Sequence, residues 1–230
     1  MPRPYSKQLY VRFLEVISLN FKPYCLVHSA PSTRQNHHFF SALILFIPYR
    51  NMELEEQLKS IRKEFYAYRN GIVADALRKG GDPHQLIMGC QLTDIVGIAS
   101  AYGKDRALSN ALWADTKHRE CRLAATMICP ADGFTMADAE QWSRSVMSIE
   151  EADVLCHRLL RHLPYALQLF HALEASSEPM VRYVAFRLLL NLVVLGKVQA
   201  DAQLKALVEA ERPIASAQLR PVIDSLLEDL

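Results

Sequence analysis

From Glu53 onward, apolar residues recur every three or four positions. Leu54, Leu58, Ile61, Phe65, Tyr68, Ile72 and Leu77 make one face of a helix predicted over 53–79. Gly80-Gly81-Asp82-Pro83 closes it. The same spacing predicts helices at about 84–102, 105–114, 117–129, 135–147, 149–162, 164–175, 178–195, 200–210 and 214–228. Gly103, Pro130 with Gly133, Pro164, Pro179, Gly196 and Pro213 fall between them. Thr135 with Asp138 and Ser148 with Glu151 form capping signatures. Asp115 or Thr116 is expected to cap the Ala-rich helix that follows Trp113. No stretch sustains a period-two alternation, so no sheet is expected. The fold class is all-α: antiparallel helix pairs stacked side by side, a solenoid with a concave face for a long partner.

Residues 1–51 depart from this pattern. They hold six basic residues (Arg3, Lys7, Arg12, Lys22, Arg34 and Arg50) against one acid, Glu15, a net of +5. That leaves 20 basic and 24 acidic residues to 52–230, a net of −4. Such a shift marks a boundary, and Met52 stands directly before the well-patterned helix. We expect 1–51 to be an extension unlike the rest, upstream of a functional start at Met52, and the domain to be 52–230. The apolar run at 39–47 falls far short of the roughly 18–20 residues a membrane helix needs, and no secretory signal is expected.

Half the residues are apolar and 22% are charged, as in a globular protein with a sizeable core. At a net charge of +1 no global basic field points to nucleic acid. The five cysteines, at 25, 90, 121, 129 and 156, form no CxxC pair. Four sit in apolar helical surroundings, as reduced core thiols do in a cytoplasmic protein. Cys156-His157 with His162, and His118 with Cys121, lack further ligands at a recognisable spacing. There is no HExxH and no Gly-rich phosphate loop, so neither metal nor cofactor is expected. Trp113 and Trp142 are expected as core anchors.

The most informative stretch is 112–125, where Leu112-Trp113 is followed by Arg119-Glu120 and then by small and apolar residues. Met88-Gly89, with Leu92, Ile95, Ile98 and Ala99, precedes it, as does Lys104-Asp105-Arg106-Ala107-Leu108. Ile149-Glu150-Glu151-Ala152-Asp153 and Val181-Arg182-Tyr183-Val184-Ala185 follow. In order and approximate spacing, over roughly 88–195, these segments resemble the HEAT-like DNA alkylation repair glycosylases, the AlkD-like family. The resemblance implies a HEAT-like α-α superhelix and a DNA-repair-type function, the excision of N3- or N7-alkylated purines from duplex DNA without base flipping. It implies Asp153 as the catalytic carboxylate and Arg182 as a contact to the DNA backbone beside it. Lys117, Arg119, Arg158, Arg161 and Arg187 are further candidates for holding phosphates.

An alkylated purine is already a cationic leaving group, so the chemistry asks for a carboxylate beside an oxocarbenium-like sugar rather than for a strong acid. The family adds two aromatic rings against the deoxyribose. Here the first ring position is Ile149, and no Phe, Tyr or Trp follows Phe186 to supply the second. An aliphatic side chain gives no cation–π attraction. Each candidate also has a plainer reading. Asp153 would serve as a first-turn acid complementing the helix dipole. Arg158 with Arg161, and Arg182 with Arg187, would be solvated helix faces, and Glu178 with Arg182 an i,i+4 pair. The alternative function is a catalytically inactive HEAT-like module that binds DNA structures or a protein partner. The expected state is a cytoplasmic monomer, away from membranes, with duplex DNA as its partner.

Overall fold

A computed structural model describes residues 53–199 and 201–230, which belong to one compact unit. The expected boundary and start at Met52 lie outside the described residues. Among the described residues eleven α-helices follow one another: α1 (53–67), α2 (Gly71–Lys79), α3 (Leu92–Tyr102), α4 (Arg106–Ala114), α5 (Arg119–Ile128), α6 (Met136–Arg144) and α7 (Ile149–Arg158). After a 3-10 turn, Leu160–His162, come α8 (Ala166–Leu173), α9 (Pro179–Val194), α10 (Ala202–Glu211) and α11 (Arg220–Asp229). Among the described residues there is no strand, only an isolated bridge between Leu86 and His118. No helix among them is long and apolar enough to cross a membrane.

Three expectations are corrected. The helix expected over 53–79 is two helices. Asn70 takes an extended backbone and its side chain accepts from the N–H groups of Ile72 and Val73, starting α2 at Gly71. The apolar spacing runs across this break, yet Tyr68 and Ile72 are exposed. The helix expected from residue 84 starts only at Leu92. The segment before it lies against α5: Leu86 N–H donates to Lys117 O at 2.8 Å, and Leu86 O accepts from Arg119 N–H at 3.1 Å. This satisfies one of the N–H groups a helix start leaves unpaired. The N-cap of α5 is therefore His118, not Asp115 or Thr116, and Asp115 ends α4 instead.

Helices α3, α5, α7, α9 and α11 pack side by side as one layer, while α4 packs on α5, α8 on α9 and α10 on α11. Asp105 N–H donates to Ile128 O, and Lys104 Nζ donates to Met127 O and Cys129 O. The start of α4 is thus fastened to the end of α5, an antiparallel pair. Phe65, Ile95, Leu108, Leu112, Leu123, Ile128, Leu155, Phe170 and Phe186 fill the interior. Trp113 and Trp142 stack within it, ring centroids 4.4 Å apart and 5° from parallel. Cys90, Cys121, Cys129 and Cys156 are buried free thiols.

Candidate nucleic-acid interface

Two buried ionic networks fix the layer on which the site lies. Arg119 is forked onto Glu150 (2.6 and 2.5 Å) and also meets Glu120 at 3.0 Å. Glu120 accepts the N–H groups of Met88 and Gly89 at 3.2 and 2.9 Å. Gly89 lies at φ 76°, and a Cβ there would fall 2.2 Å from Asn70 O, so glycine is required. In the second network Glu151 accepts Arg122 through both oxygens (2.9 and 3.0 Å), His84 Nε2 at 2.7 Å and Met147 N–H at 2.8 Å. Arg122 lies 3.5 Å above the Trp113 ring and donates to Trp113 O and Ser145 O. Ser148 caps α7 by accepting from Glu151 N–H, but the Glu151 carboxylate turns into the core rather than closing the expected box.

Asp153 follows on the next turn of α7. Its carboxylate is 36% exposed and accepts from the Tyr183 hydroxyl at 2.9 Å. Arg187 Nε lies 3.0 Å from the same oxygen. Burial, reinforced by the Asp153 charge, pushes Tyr183 far above the ordinary phenol range, so it stays a proton donor. The arginine that faces Asp153 is Arg187, not Arg182. Arg182 pairs with Glu211 on α10, which also replaces the expected pairing with Glu178.

Past Asp153, the C-terminal ends of α3, α5 and α7 converge on a cavity of about 410 Å³. Lys104, His157, Arg158, Arg161 and His162 line it, with no acidic residue among the lining groups. Arg161 donates from Nη2 to His157 Nε2 at 3.2 Å and from Nε to His162 Nε2 at 3.3 Å. Lys197, just beyond α9, donates to Arg161 O at 2.6 Å. Burial, then Arg161, Arg158, His162 and Arg187, lower the pKa of His157. Burial, then Arg161, Lys197 and Lys104, lower that of His162. Cations here partly answer the negative ends of three helix dipoles.

Of the candidates named from sequence, Asp153 and Arg187 meet, and Arg158 and Arg161 share the cavity. Lys117 is exposed at the start of α5. Arg119 leaves the phosphate-holding set, because its side chain is 4% exposed and spent on Glu150 and Glu120. Sequence reasoning missed Tyr183, His157, His162, Lys104 and Lys197. The density of basic residues at 157–162 was the available signal. Asp115, His118 and Cys121 also cluster, with ligand atoms within 4.8 Å of one another. Arg62 already pairs with Asp115 at 2.6 Å, and burial, then Asp115, pushes the Cys121 thiol up to about 12. A guanidinium and a protonated thiol are poor company for a cation.

A stack of antiparallel helix pairs is the build of a HEAT-like repeat protein. A solved structure described as "a new family of proteins related to the HEAT-like repeat DNA glycosylases with affinity for branched DNA structures" superposes with a TM-score of 0.65 at 14% identity, covering 74% of each chain. Residues 61–210 match the DNA alkylation repair enzyme family, and the chain belongs to that family. It is a DNA-repair-type protein with a HEAT-like helical fold. No curated protein matches the chain.

Proposed function

We propose that this protein binds the phosphate backbone of duplex or branched DNA across the layer of α3, α5, α7 and α9, and does so without excising bases. The observation that carries the reading is the acid-free basic cavity formed by Lys104, Arg158 and Arg161, with Lys197 and Arg187 at its edges. Arginine and lysine grouped in this way supply the charge-assisted contacts that position a nucleic acid. The structural relative's affinity for branched DNA supports the same partner.

Excision is the weaker reading on chemical grounds. A carboxylate that stabilises an oxocarbenium-like sugar must be offered to it. Here Asp153 is engaged by the Tyr183 hydroxyl and by Arg187. Ile149 and the ring-free chain after Phe186 supply neither of the rings that the resemblance would set against the developing charge, and the Tyr183 ring that meets Asp153 is buried. The exposed part of the Asp153 carboxylate keeps a glycosylase reading testable. Fluorescence anisotropy with labelled duplexes and four-way junctions is the experiment, alongside release of 7-methylguanine and 3-methyladenine from alkylated duplex. We expect salt-sensitive binding, with log K falling by roughly 0.9 per phosphate contact for each decade of salt. We expect Arg158→Ala/Arg161→Ala to weaken it and no base to be released. No binding at low salt would remove DNA as the partner, and release abolished by Asp153→Asn would establish excision. The four buried free thiols favour a reducing compartment, the cytoplasm.

A further inference from the structure

We propose that Arg161, His157 and His162 form a phosphate subsite that takes up protons as it binds, so that DNA affinity rises as pH falls. The inference rests on the DNA-binding reading above and adds the identity and chemistry of the subsite. A guanidinium has only donors, so each Nε2 that it meets must be an acceptor. Both imidazoles are therefore neutral in the free protein, and Arg161 is the group that holds them so. A DNA phosphate entering the cavity offers Arg161 better acceptors and can be held through two parallel N–H bonds. That frees Nε2 of His157 and of His162. Each can then take a proton from solvent and donate it to the same phosphate.

The surrounding charges give this exchange its direction. Arg158 shares the helix end with His157, Lys104 reaches in from the α3–α4 turn, Lys197 bonds the Arg161 carbonyl, and Arg187 approaches from α9. Burial and these cations keep both imidazoles below their ordinary 6.5 in the free protein. No acid among the lining groups offsets them, and Asp153, one turn earlier on α7, is already paired with Arg187. A phosphate reverses the local field, and the gap between free and bound pKa is what linkage converts to affinity. Each proton taken up steepens the profile by up to about tenfold per pH unit.

The test is the Kd of the full chain for a labelled DNA duplex from pH 8 to pH 5.5 at fixed ionic strength. Titration calorimetry in buffers of different ionisation heat counts the protons. We expect roughly tenfold tighter binding at pH 5.5 than at pH 7, which corresponds to a mean uptake of about 0.7 proton over that interval. His157→Gln/His162→Gln should flatten the profile and abolish the uptake, while His171→Gln, which removes an exposed partner of Glu174, keeps both. Binding with a flat profile, or an unchanged slope in the double variant, overturns the inference and leaves the DNA reading intact. Absence of DNA binding at every pH removes the DNA reading and the subsite with it.

Discussion

Glu151→Gln keeps the volume of the side chain and removes one charge from a fully buried ionic site. Oε1 accepts from Arg122 Nε and His84 Nε2, and Oε2 accepts from Arg122 Nη2 and Met147 N–H. Turned one way, the glutamine NH2 faces two donors, Arg122 Nη2 and Met147 N–H; turned the other way, it still meets Arg122 Nε and can donate only to a neutral His84 Nε2. Arg122 is left with the carbonyls of Trp113 and Ser145 but no anion. Breaking a buried ion pair from one side costs about 3–5 kcal/mol. In a domain of this size each kcal/mol lowers Tm by about 2–4 °C, so a fall of about 6–20 °C is expected. Thermal unfolding followed by circular dichroism at pH 7 reads it. Adding Arg122→Met should recover part of the loss, because the orphaned charge leaves with the arginine. The pH dependence is a second readout. Burial opposes ionisation of Glu151, yet the bonds from His84 and Arg122 outweigh it and lower its pKa. Its contribution is present above its ordinary 4.5 and is lost as pH falls through the lower folded value. Burial likewise opposes charge on His84, but Glu151 and Asp82 outweigh it and raise the pKa. That contribution is full below 6.5 and is lost as pH rises through the higher folded value. Glu151→Gln should flatten both limbs. A Tm within about 2 °C of the parent, or a double variant that merely sums the two losses, would refute the reasoning.

Gly89→Ala places a Cβ against Asn70 O and Ala74 N at a positive φ, and should cost more than about 2 kcal/mol in urea unfolding. A midpoint equal to the parent's would mean that the 88–89 segment is free to move. Arg187→Ala and Arg182→Ala should separate. The first weakens DNA binding several-fold with little change in Tm, and the second lowers Tm by leaving Glu211 unpaired in a buried position. Equal effects on binding would return Arg182 to the interface. Burial pushes the thiols of Cys90 and Cys121 up to about 12, so in a Cys25→Ser background native protein should release no chromophore from a disulfide reagent at pH 8. Four thiols should react after denaturation, and rapid native reaction would place one at the surface.

The helices were legible because an interior imposes a 3.6-residue period, and the segments that carried the family resemblance are where that interior is pinned. Gly89 has no room for a side chain, Glu120 takes two backbone N–H groups, and Arg122 lies on Trp113 beneath Glu151. The interface was less legible. A linear motif selected Arg182, but five residues of helix turn a side chain by about 140° from its starting direction, so Arg182 and Arg187 look different ways. Tyr183 and Arg187, four apart, share the side that meets Asp153. Which side that is depends on how α9 rotates against α7, and no spacing within one helix encodes it. The break at Asn70 was hidden for a related reason. Tyr68 and Ile72 kept the apolar period through a cap that exposes both.

Net charge is a poor guide to the charge at one site, for a reason the structure makes plain. The excess of acids over 52–230 argues against a nucleic-acid partner only if those acids lie where a partner would feel them. Glu120 and Glu150 hold Arg119, Glu151 holds Arg122 and His84, Asp115 holds Arg62 and His118, and Glu211 holds Arg182. These acids lie against basic partners rather than at the cavity, Glu120 and Glu150 sharing Arg119. At physiological salt a surface charge is screened beyond about 8 Å, so a phosphate at the cavity responds to its immediate neighbours and not to the sum over the chain. Those neighbours are Lys104, Arg158 and Arg161, and no carboxylate lines the cavity with them. A chain that is acidic in total can thus carry a local basic site, provided that folding places its acids elsewhere.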